Sequence, residues 1–574
     1  MNRFRPFILA AAVISAALLA YGLWTLPKPQ PADAQGFSSA RAVEDIEAIS
    51  KAHHSVAHPE ERAQVRDYLV KRLEGLGADS VSLFRYDSLT SPKDRPFVYT
   101  FDAVDVLAEF APENPSDDDT YLMFVAHYDS RYAQIMPKDT VWSYGAADDG
   151  YGLSIILETV SQLLKQREHW HQGVKVLFTD AEEVGMMGMK AIWENDRHVF
   201  DNVGFLINVE ARGPFGPALL FEACPGNEKV IGLYADAAKN KHTYSLTTVV
   251  YGFMPVFTDF NVTKDHIPGL NFSTVADINH YHTNLDNFSN VNEKSIQHYG
   301  AQILPVAMEY VTNSDYSDKD YFKSDKDTTN FSIPALGFFN FSKTGYAIFN
   351  IIVCILFVLL FALEGVRGRI KPGKVFKVST AVLFIGIGVL AFGELVAYLC
   401  ALAAGAGFKP FGTVQGIRFD NAAMIAATVF MAAVTTFVYV ILRKKAVRQV
   451  SGSMRASAAV NAASKHAYSY LYGALALMFV LTVALLVSLG ENLMFLIPLV
   501  CATAAMILYH LTSCKFFMVL AIGIILLHAF SFLYALAMAL TIGAYGAVAM
   551  LAFFDLMVII PLADLYLLSS AKKR

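Results

Sequence analysis

From about residue 345 to its end the chain is a succession of apolar runs, near 345–364, 377–403, 421–442, 467–488, 492–510, 515–538 and 542–568. Each is close to the roughly 20 residues that an α-helix needs to cross a hydrocarbon core about 30 Å thick. Inside a bilayer the backbone polar groups can be satisfied only in helices or closed barrels. The C-terminal part, 341–574, is therefore expected to be an all-α transmembrane bundle of about seven helices. A further apolar stretch, PFILAAAVISAALLAYGLWTL at 6–26, follows MNRFR. No A-x-A-like cleavage site follows it directly, so it reads as an uncleaved anchor rather than a signal peptide. The apolar excess of the chain, 54% hydrophobic residues and a mean hydropathy of +0.38, thus sits at its two ends.

Basic residues orient these spans. GVRGRIKPGKVFK, RKKAVRQVSGSMR and AKKR lie in alternate connections and, with MNRFR, fall on one side if the spans total eight. The expected topology is a multi-pass membrane protein, in contact with membrane lipid, with both termini in the cytoplasm. Its middle segment then faces the periplasm or exterior in a bacterium, or an organelle lumen in a eukaryote. N-x-S/T sequons at Asn261, Asn271, Asn287, Asn330 and Asn340 bear on the second case only where they occupy surface loops. The net charge of −5 and the lack of a basic stripe argue against a nucleic-acid partner. Of five cysteines only Cys224 lies neither in nor beside an apolar span, so no disulfide framework or cysteine-based zinc site can be built in the middle segment. A metal there must be held by His, Asp and Glu.

After the anchor, PKPQPADAQG (27–36) reads as a Pro-rich spacer closing the segment 1–36. SSARAVEDIEAISKAHH and HPEERAQVRDYLVKRLEGLG have helical periodicity, the second stopped by Gly75 and Gly77. His53, His54 and His58 at the helix end have no matching acids and read as solvated. Then strands and helices alternate: YLMFVAHYDS, GLSIILETVSQLLKQ, GVKVLFTDAEE, GFLINVEARG. Short apolar runs separated by helical patterns indicate an α/β domain over 37–340, a mixed sheet with a parallel centre sandwiched by helices. Ligands of such sheets bind beyond the carboxyl ends of the strands.

Three of those strands end in a possible metal ligand: His127, Glu183 and Glu210. Asp148, in the Gly-rich loop YGAADDGYG, and His282, in NHYHTNLDN, are a fourth and a fifth. Two imidazoles and three carboxylates suit zinc, and two ions can share five residues if one carboxylate bridges. The adjacent pair Glu182 and Glu183 leaves an apolar strand in a place where unpaired carboxylates are costly, so cations, donors or water must meet them.

The order H-x-D, G-A-x-D-D, E-E, an acid after N-V, and Y-H-T-x-x-D resembles the co-catalytic di-zinc aminopeptidases and glutamate-carboxypeptidase-like metallopeptidases over most of residues 40 to 310. With the anchor and late spans, it most resembles their membrane branch of endoplasmic-reticulum metallopeptidases and vacuolar membrane proteases. Glu210 departs from the aspartate common in secreted aminopeptidases and agrees with that branch. The resemblance implies a zinc-exopeptidase fold and two Zn2+ per chain, bridged by Asp148. His127 and Glu210 would complete one site, Glu183 and His282 the other, and a cis bond would join Asp148 and Asp149. It further implies that Asp129 orients His127, that Glu182 is the general base, and that Tyr281 stabilises an oxyanion during hydrolysis of peptide substrates. An aminopeptidase is the first expectation and a carboxypeptidase, a receptor or a transport-coupled protein on the same scaffold the alternatives. Arg212 is read as a substrate-carboxylate clamp or a structural ion pair, Glu222 as a possible amine acceptor, and Asp259 and Asp286 as lining or bracing the site. Oligomeric state is not legible.

Within the spans, Glu394, His528 and Asp555 are ionisable and Asp564 lies near an interface. Interhelical hydrogen bonding is the expected reason for all four, since their spacing builds no ion site. GIGVLAFGELVAYLCALAAGAG is rich in small residues suited to close helix packing.

Overall fold

The structure is a computed structural model that describes all residues except 1–3, 25, 93–99, 117–118, 136–139, 254–255, 409, 411–420, 451–455 and 569–574. Parts of the basic clusters used above, MNR, SGSMR and AKKR, lie outside the described residues. The chain divides into two compact units, Trp24–Ser332 with Gly337–Lys343, and Met1–Leu23 with Ile333–Leu336 and Thr344–Arg574.

In the first unit, helices α2 (Ser39–Ile49) and α3 (Pro59–Gly75) precede the sheet. Ser38 caps α2 through its side chain, which accepts from the Arg41 N–H, and α3 begins on Pro59 with Glu60 and Glu61 in its first turn. Both are ordinary helix-start chemistry. The stretch 27–36 is tied down rather than free: Arg41 donates to the carbonyls of Ala32 and Ala34, and the Gln30 N–H reaches Gln297 Oε1 at 3.1 Å.

Eleven strands follow among the described residues: β1 (Ser80–Thr90), β2 (Thr100–Phe110), β3 (Tyr121–His127), β4 (Gln134–Ile135), β5 (Thr140–Val141), β6 (Gly173–Thr179), β7 (Val203–Ala211), β8 (Leu219–Ala223), β9 (Gly269–Thr274), β10 (Thr328–Ile333) and β11 (Gly337–Ser342). Seven form one sheet in the order β1-β2-β6-β3-β7-β9-β8. Its centre, β6-β3-β7-β9, is parallel, and its margins are antiparallel. The fold class read from the sequence is therefore observed, and the antiparallel margins make the sheet mixed. Strands β3, β6 and β7 are almost wholly buried, which explains their unbroken apolar sequences.

Helices α4 (Gly150–Leu163), α5 (Met187–Asn195), α6 (Glu228–Ala237), α7 (Ser245–Gly252), α8 (Phe260–Thr263) and α9 (Glu293–Thr312) complete the unit. α2, α4 and α9 pack on one another, and α4 and α9 on β3. α4 is buried along nearly its whole length, so the loop before it is held against the sheet.

Two readings need correction. His54 is buried, not solvated: its Nδ1 lies 2.9 Å from the Ala52 carbonyl, its ring packs against Gly145, and burial lowers its pKa to about 4. The sequons at Asn271 and Asn330 are also buried, in β9 and β10, where Asn271 accepts from the Asn208 amide and Asn330 from the Thr243 hydroxyl.

The second unit is helical: α1 (Arg5–Trp24), α10 (Lys343–Val366), α11 (Pro372–Ala404), α12 (Asn421–Val450), α13 (Ala456–Leu489), α14 (Leu493–Thr512), α15 (Phe516–Leu540) and α16 (Tyr545–Leu567). Among the described residues, seven stretches are long and apolar enough to cross a membrane, the last of them, Phe516–Leu567, containing both α15 and α16. α12 outruns its apolar stretch because RKKAVRQV contains no helix breaker. Interhelical hydrogen bonding accounts for only part of the buried charge. Asp564 meets Arg443 at 2.9 Å and the Tyr439 hydroxyl at 3.0 Å. Among the described residues, however, neither ring nitrogen of buried His528 nor Oδ2 of Asp555 has a hydrogen-bond partner.

If the parallel centre carries the stability of the globular unit, Phe124→Ala, in the middle of β3, costs about 3–5 kcal/mol. Phe84→Ala, half-buried on the marginal β1, costs much less. Thermal unfolding of the two variants tests this, and equal shifts in Tm would contradict it.

Candidate metal centre

Because β3, β6 and β7 run parallel, their carboxyl ends share one edge of the sheet. β3 closes on His127, paired in register with Thr179 at the end of β6, and Glu210 lies one residue before the end of β7. Four residues beyond Thr179 comes Glu183, on a tight turn held by Asp180. Asp180 accepts from the Val104 N–H at 3.0 Å and the Tyr128 hydroxyl at 3.0 Å, and pairs with Arg62 at 3.2 Å. Gly188 closes the turn, since a Cβ there would stand 2.3 Å from both Asp105 Oδ1 and the Asp180 carbonyl.

Two groups of three side chains meet at this edge, His127, Asp148 and Glu210, and Asp148, Glu183 and His282, each with its ligand atoms within 4.8 Å of one another. Asp148 belongs to both. His127 Nε2 is 3.3 Å from Asp148 Oδ1 and 3.7 Å from Glu210 Oε2. His282 Nε2 is 3.2 Å from Asp148 Oδ2 and 3.1 Å from Glu183 Oε2. The bond between Asp148 and Asp149 is cis, and Asp149 caps α4 by accepting from the Gly152 N–H at 2.9 Å.

The donor set fits metal ions. His127 Nδ1 lies 2.9 Å from the Asp129 backbone carbonyl. That acceptor places the proton on Nδ1 and turns the Nε2 lone pair toward two carboxylates, an arrangement that is repulsive without a cation or proton between them. Among the described residues, buried Asp148 Oδ2, Glu183 Oε1 and His282 Nε2 have no hydrogen-bond partner outside these groups. Nitrogen and oxygen ligands about 2.0–2.2 Å from a tetrahedral zinc ion stand roughly 3.3–3.6 Å apart, close to the separations found.

The electrostatics agree. Burial, with Asp149 and Asp148 and against His127, pushes the Glu210 carboxyl well above its ordinary range. Burial does the same to Glu182, opposed by His127 and reinforced by Glu210, Asp259 and Glu183. Glu183 is the exception: burial raises it, but His282 and Arg131 outweigh burial and hold it low. Burial also opposes charge on His127, yet Asp129, Asp148 and Glu210 raise its pKa. So many carboxylates around so little positive charge is a cation-seeking arrangement.

Asp129 meets His127 in two ways, its carboxylate 3.5 Å and its backbone carbonyl 2.9 Å from Nδ1. The carboxylate also accepts the N–H groups of Glu182 at 2.9 Å and Glu183 at 3.2 Å. The backbone carbonyl is the nearer of the two acceptors for the imidazole. Asp286 braces the Asp148 loop, accepting from the N–H of Ala147 at 2.7 Å and of Asp148 at 3.3 Å and from the Ser143 hydroxyl at 2.9 Å. Asp259 accepts from the Thr179 hydroxyl beneath the site. Glu222 is not presented as an open amine acceptor, because Lys264 pairs with it at 2.6 Å and Asn271 donates to it at 3.1 Å. The Tyr281 ring stacks on His282 at a centroid separation of 3.6 Å, and the Arg212 guanidinium lies 5.7 Å from its centre. Burial, with Asp148 and Glu183, pushes the Tyr281 phenol well up and keeps it a donor.

Two contributors escaped the sequence reading. Arg131 Nη1 donates to the Glu183 carboxylate at 3.0 Å and to its carbonyl at 2.8 Å. The Asn208 amide donates to Glu210 Oε1 at 3.2 Å and to Asn271 Oδ1 at 3.0 Å. The arginine in HYDSR, two residues after Asp129, was the available signal for the first. Asn208 had one as well, being two residues before Glu210 and so on the same face of β7.

Asp286→Asn offers a poorer acceptor to the Asp148 loop and lowers metal retention by about tenfold or more. Chelator competition on the purified protein measures it, and unchanged retention would mean that the loop stands without Asp286.

Residues 105–307 match the family described as peptidase family M28. A stretch of 180 residues is 31% identical to human endoplasmic reticulum metallopeptidase 1, covering 30% of this chain and 19% of that protein. Another of 245 residues is 29% identical to the vacuolar membrane protease of Candida dubliniensis, covering 42% of this chain and 24% of that one. The chain thus spans about a fifth to a quarter of the length of these relatives. Among solved structures, a Zn-dependent exopeptidase from Parabacteroides distasonis is matched with a TM-score of 0.38 at 19% identity, over 47% of this chain and 98% of that one. The glutaminyl cyclase of Porphyromonas gingivalis is matched with a TM-score of 0.39 at 18% identity, over 48% of this chain and 100% of that one. The parallel-centred globular unit carries a peptidase family M28 domain over residues 105–307.

Proposed function

We propose that this chain is a membrane-anchored zinc exopeptidase, an aminopeptidase that uses two ions, His127, Asp148 and Glu210 holding one and Asp148, Glu183 and His282 the other. The observation that carries this reading is the pair of three-residue groups sharing Asp148, with Glu182 close enough to feel the charges of His127, Glu210 and Glu183. Bound zinc supplies Lewis-acid chemistry, lowering the pKa of water toward neutrality and polarising a carbonyl. Glu182 takes a proton from the attacking water as the C–O bond forms and delivers it to the amine as the C–N bond breaks. No hydrogen bond from the described residues ties up its carboxylate. The Tyr281 hydroxyl donates to the oxyanion of the tetrahedral intermediate. Arg131 holds Glu183 ionised and in place, and Asn208 does the same positional work at Glu210.

The preponderance of carboxylates, Glu182, Glu183, Glu210, Asp148 and Asp259, favours a free amino end at the site. Arg212 beside Tyr281 supports a second reading, a carboxypeptidase in which that guanidinium binds the substrate carboxylate. The eight apolar helices and the alternation of basic connections support a multi-pass protein with cytoplasmic termini and the peptidase unit on the opposite face.

Full-length protein given unblocked, N-acetylated and C-amidated peptides separates these readings. An aminopeptidase cleaves the unblocked and amidated peptides and spares the acetylated one, whereas a carboxypeptidase spares the amidated one. Glu182→Gln retains zinc and loses about 10²–10⁴ in kcat. Activity that survives this substitution would sink the mechanism, and no cleavage of any peptide by zinc-loaded protein would favour a binding role.

A further inference from the structure

Helices α11, α12, α13 and α16 leave an elongated groove of about 1150 Å³ between them, larger than the roughly 300–1,000 Å³ of a small-ligand site. One wall runs along α11 from Lys374 to Val396 and another along α12 from Ala427 to Ala446. At 1.5 Å per residue the α11 wall is about 33 Å long, and a hydrocarbon core is about 30 Å thick. Along this length the lining is mainly apolar, with Val382, Ile385, Phe392, Phe430, Val434 and Phe553, and carries the hydroxyls of Thr435 and Tyr545.

Charge is confined to one end. Lys374 and Lys377 stand in the first turns of α11, Lys445 near the end of α12, and His466 and Tyr470 early in α13. The three lysines are exposed, and among the described residues none forms an ion pair. The carboxylate of Asp564, reached through the lining residue Tyr439, is already engaged by Arg443 and the Tyr439 hydroxyl. His466 is only 3% exposed, and its Nε2 has no hydrogen-bond partner among the described residues. Its ring is held against Tyr470 at a centroid separation of 4.3 Å. Three uncompensated ammonium groups and a buried, unpartnered imidazole nitrogen thus stand at the head of an apolar channel of bilayer length.

We propose that this groove binds an anionic phospholipid of the surrounding bilayer. Its acyl chains lie along α11 and α12, and its phosphate sits among Lys374, Lys377, Lys445 and His466. A free anion would use the basic end alone and leave the apolar length without purpose. A second copy of the helical unit lacks complementary charge, because none of the described carboxylates in residues 344–574 is exposed. A zwitterionic lipid brings its own cation toward the lysines and is disfavoured relative to an anionic one.

The test is native mass spectrometry of the full chain in detergent with phosphatidylglycerol or phosphatidylcholine added at equal concentration. Preferential retention of phosphatidylglycerol is expected. The triple variant Lys374→Gln, Lys377→Gln, Lys445→Gln weakens it on the order of tenfold or more and leaves phosphatidylcholine unchanged, while Lys444→Gln, outside the groove, has no effect. Gly388→Trp, at a groove position where an added Cβ meets nothing within 4 Å, reduces retention of both lipids by filling the apolar length. Equal retention of the two lipids, or a triple variant that binds as the parent does, overturns the proposal. So does displacement of phosphatidylglycerol by inorganic phosphate, or cross-linking of Gly388→Cys between two copies in lipid-replete membranes, outcomes that assign the groove to a free anion or to a second chain.

Discussion

Asp148, Glu183 and Glu210 are carboxylates removed from water within reach of one another, and much of the globular unit is arranged around that fact. A buried carboxylate costs several kcal/mol unless it is paired, hydrogen-bonded or protonated. Here pairing falls to two imidazoles and to Arg131, which is not enough positive charge for the acids present. Metal ions would resolve the conflict, with His127, His282, Asp148 and Glu183 as the residues placed to hold them. The parallel strands bring the candidate ligands to one edge, and α4, buried along its length, fixes the loop that presents Asp148 between the two groups.

Around this centre the supporting contacts are mainly backbone donors meeting carboxylates. Asp129 gathers the N–H groups of Glu182 and Glu183, and Asp286 those of Ala147 and Asp148. Each aligns a chain segment rather than a single side chain, so its removal would move Glu182 or Asp148 without touching either side chain directly. The helical unit has its own unbalanced groups: buried His528 and Asp555 in the apolar helices, and the lysine-headed groove along α11 and α12.

The fold was legible because unbroken apolar strands ending in His127, the Glu182 and Glu183 pair, and Glu210 leave few arrangements other than a parallel-centred sheet with a polar edge. Bilayer-length apolar runs likewise placed the helices α10 to α16. What stayed hidden depends on residues distant in sequence. Nothing near Glu222 announces Lys264 as its partner, nothing near His54 announces burial against Gly145, and the Asp286 contact to Asp148 spans 138 residues. The choice between the carboxylate and the carbonyl of Asp129 as the partner of His127 is a matter of tenths of an ångström, beneath the resolution of any motif.

Zinc per chain, measured on the purified full-length protein and two ligand variants, tests the shared-aspartate centre most directly. Close to two zinc ions in the parent, close to one in His282→Ala and nearly none in Asp148→Ala is the predicted series. A single ion in the parent that persists in Asp148→Ala would contradict it.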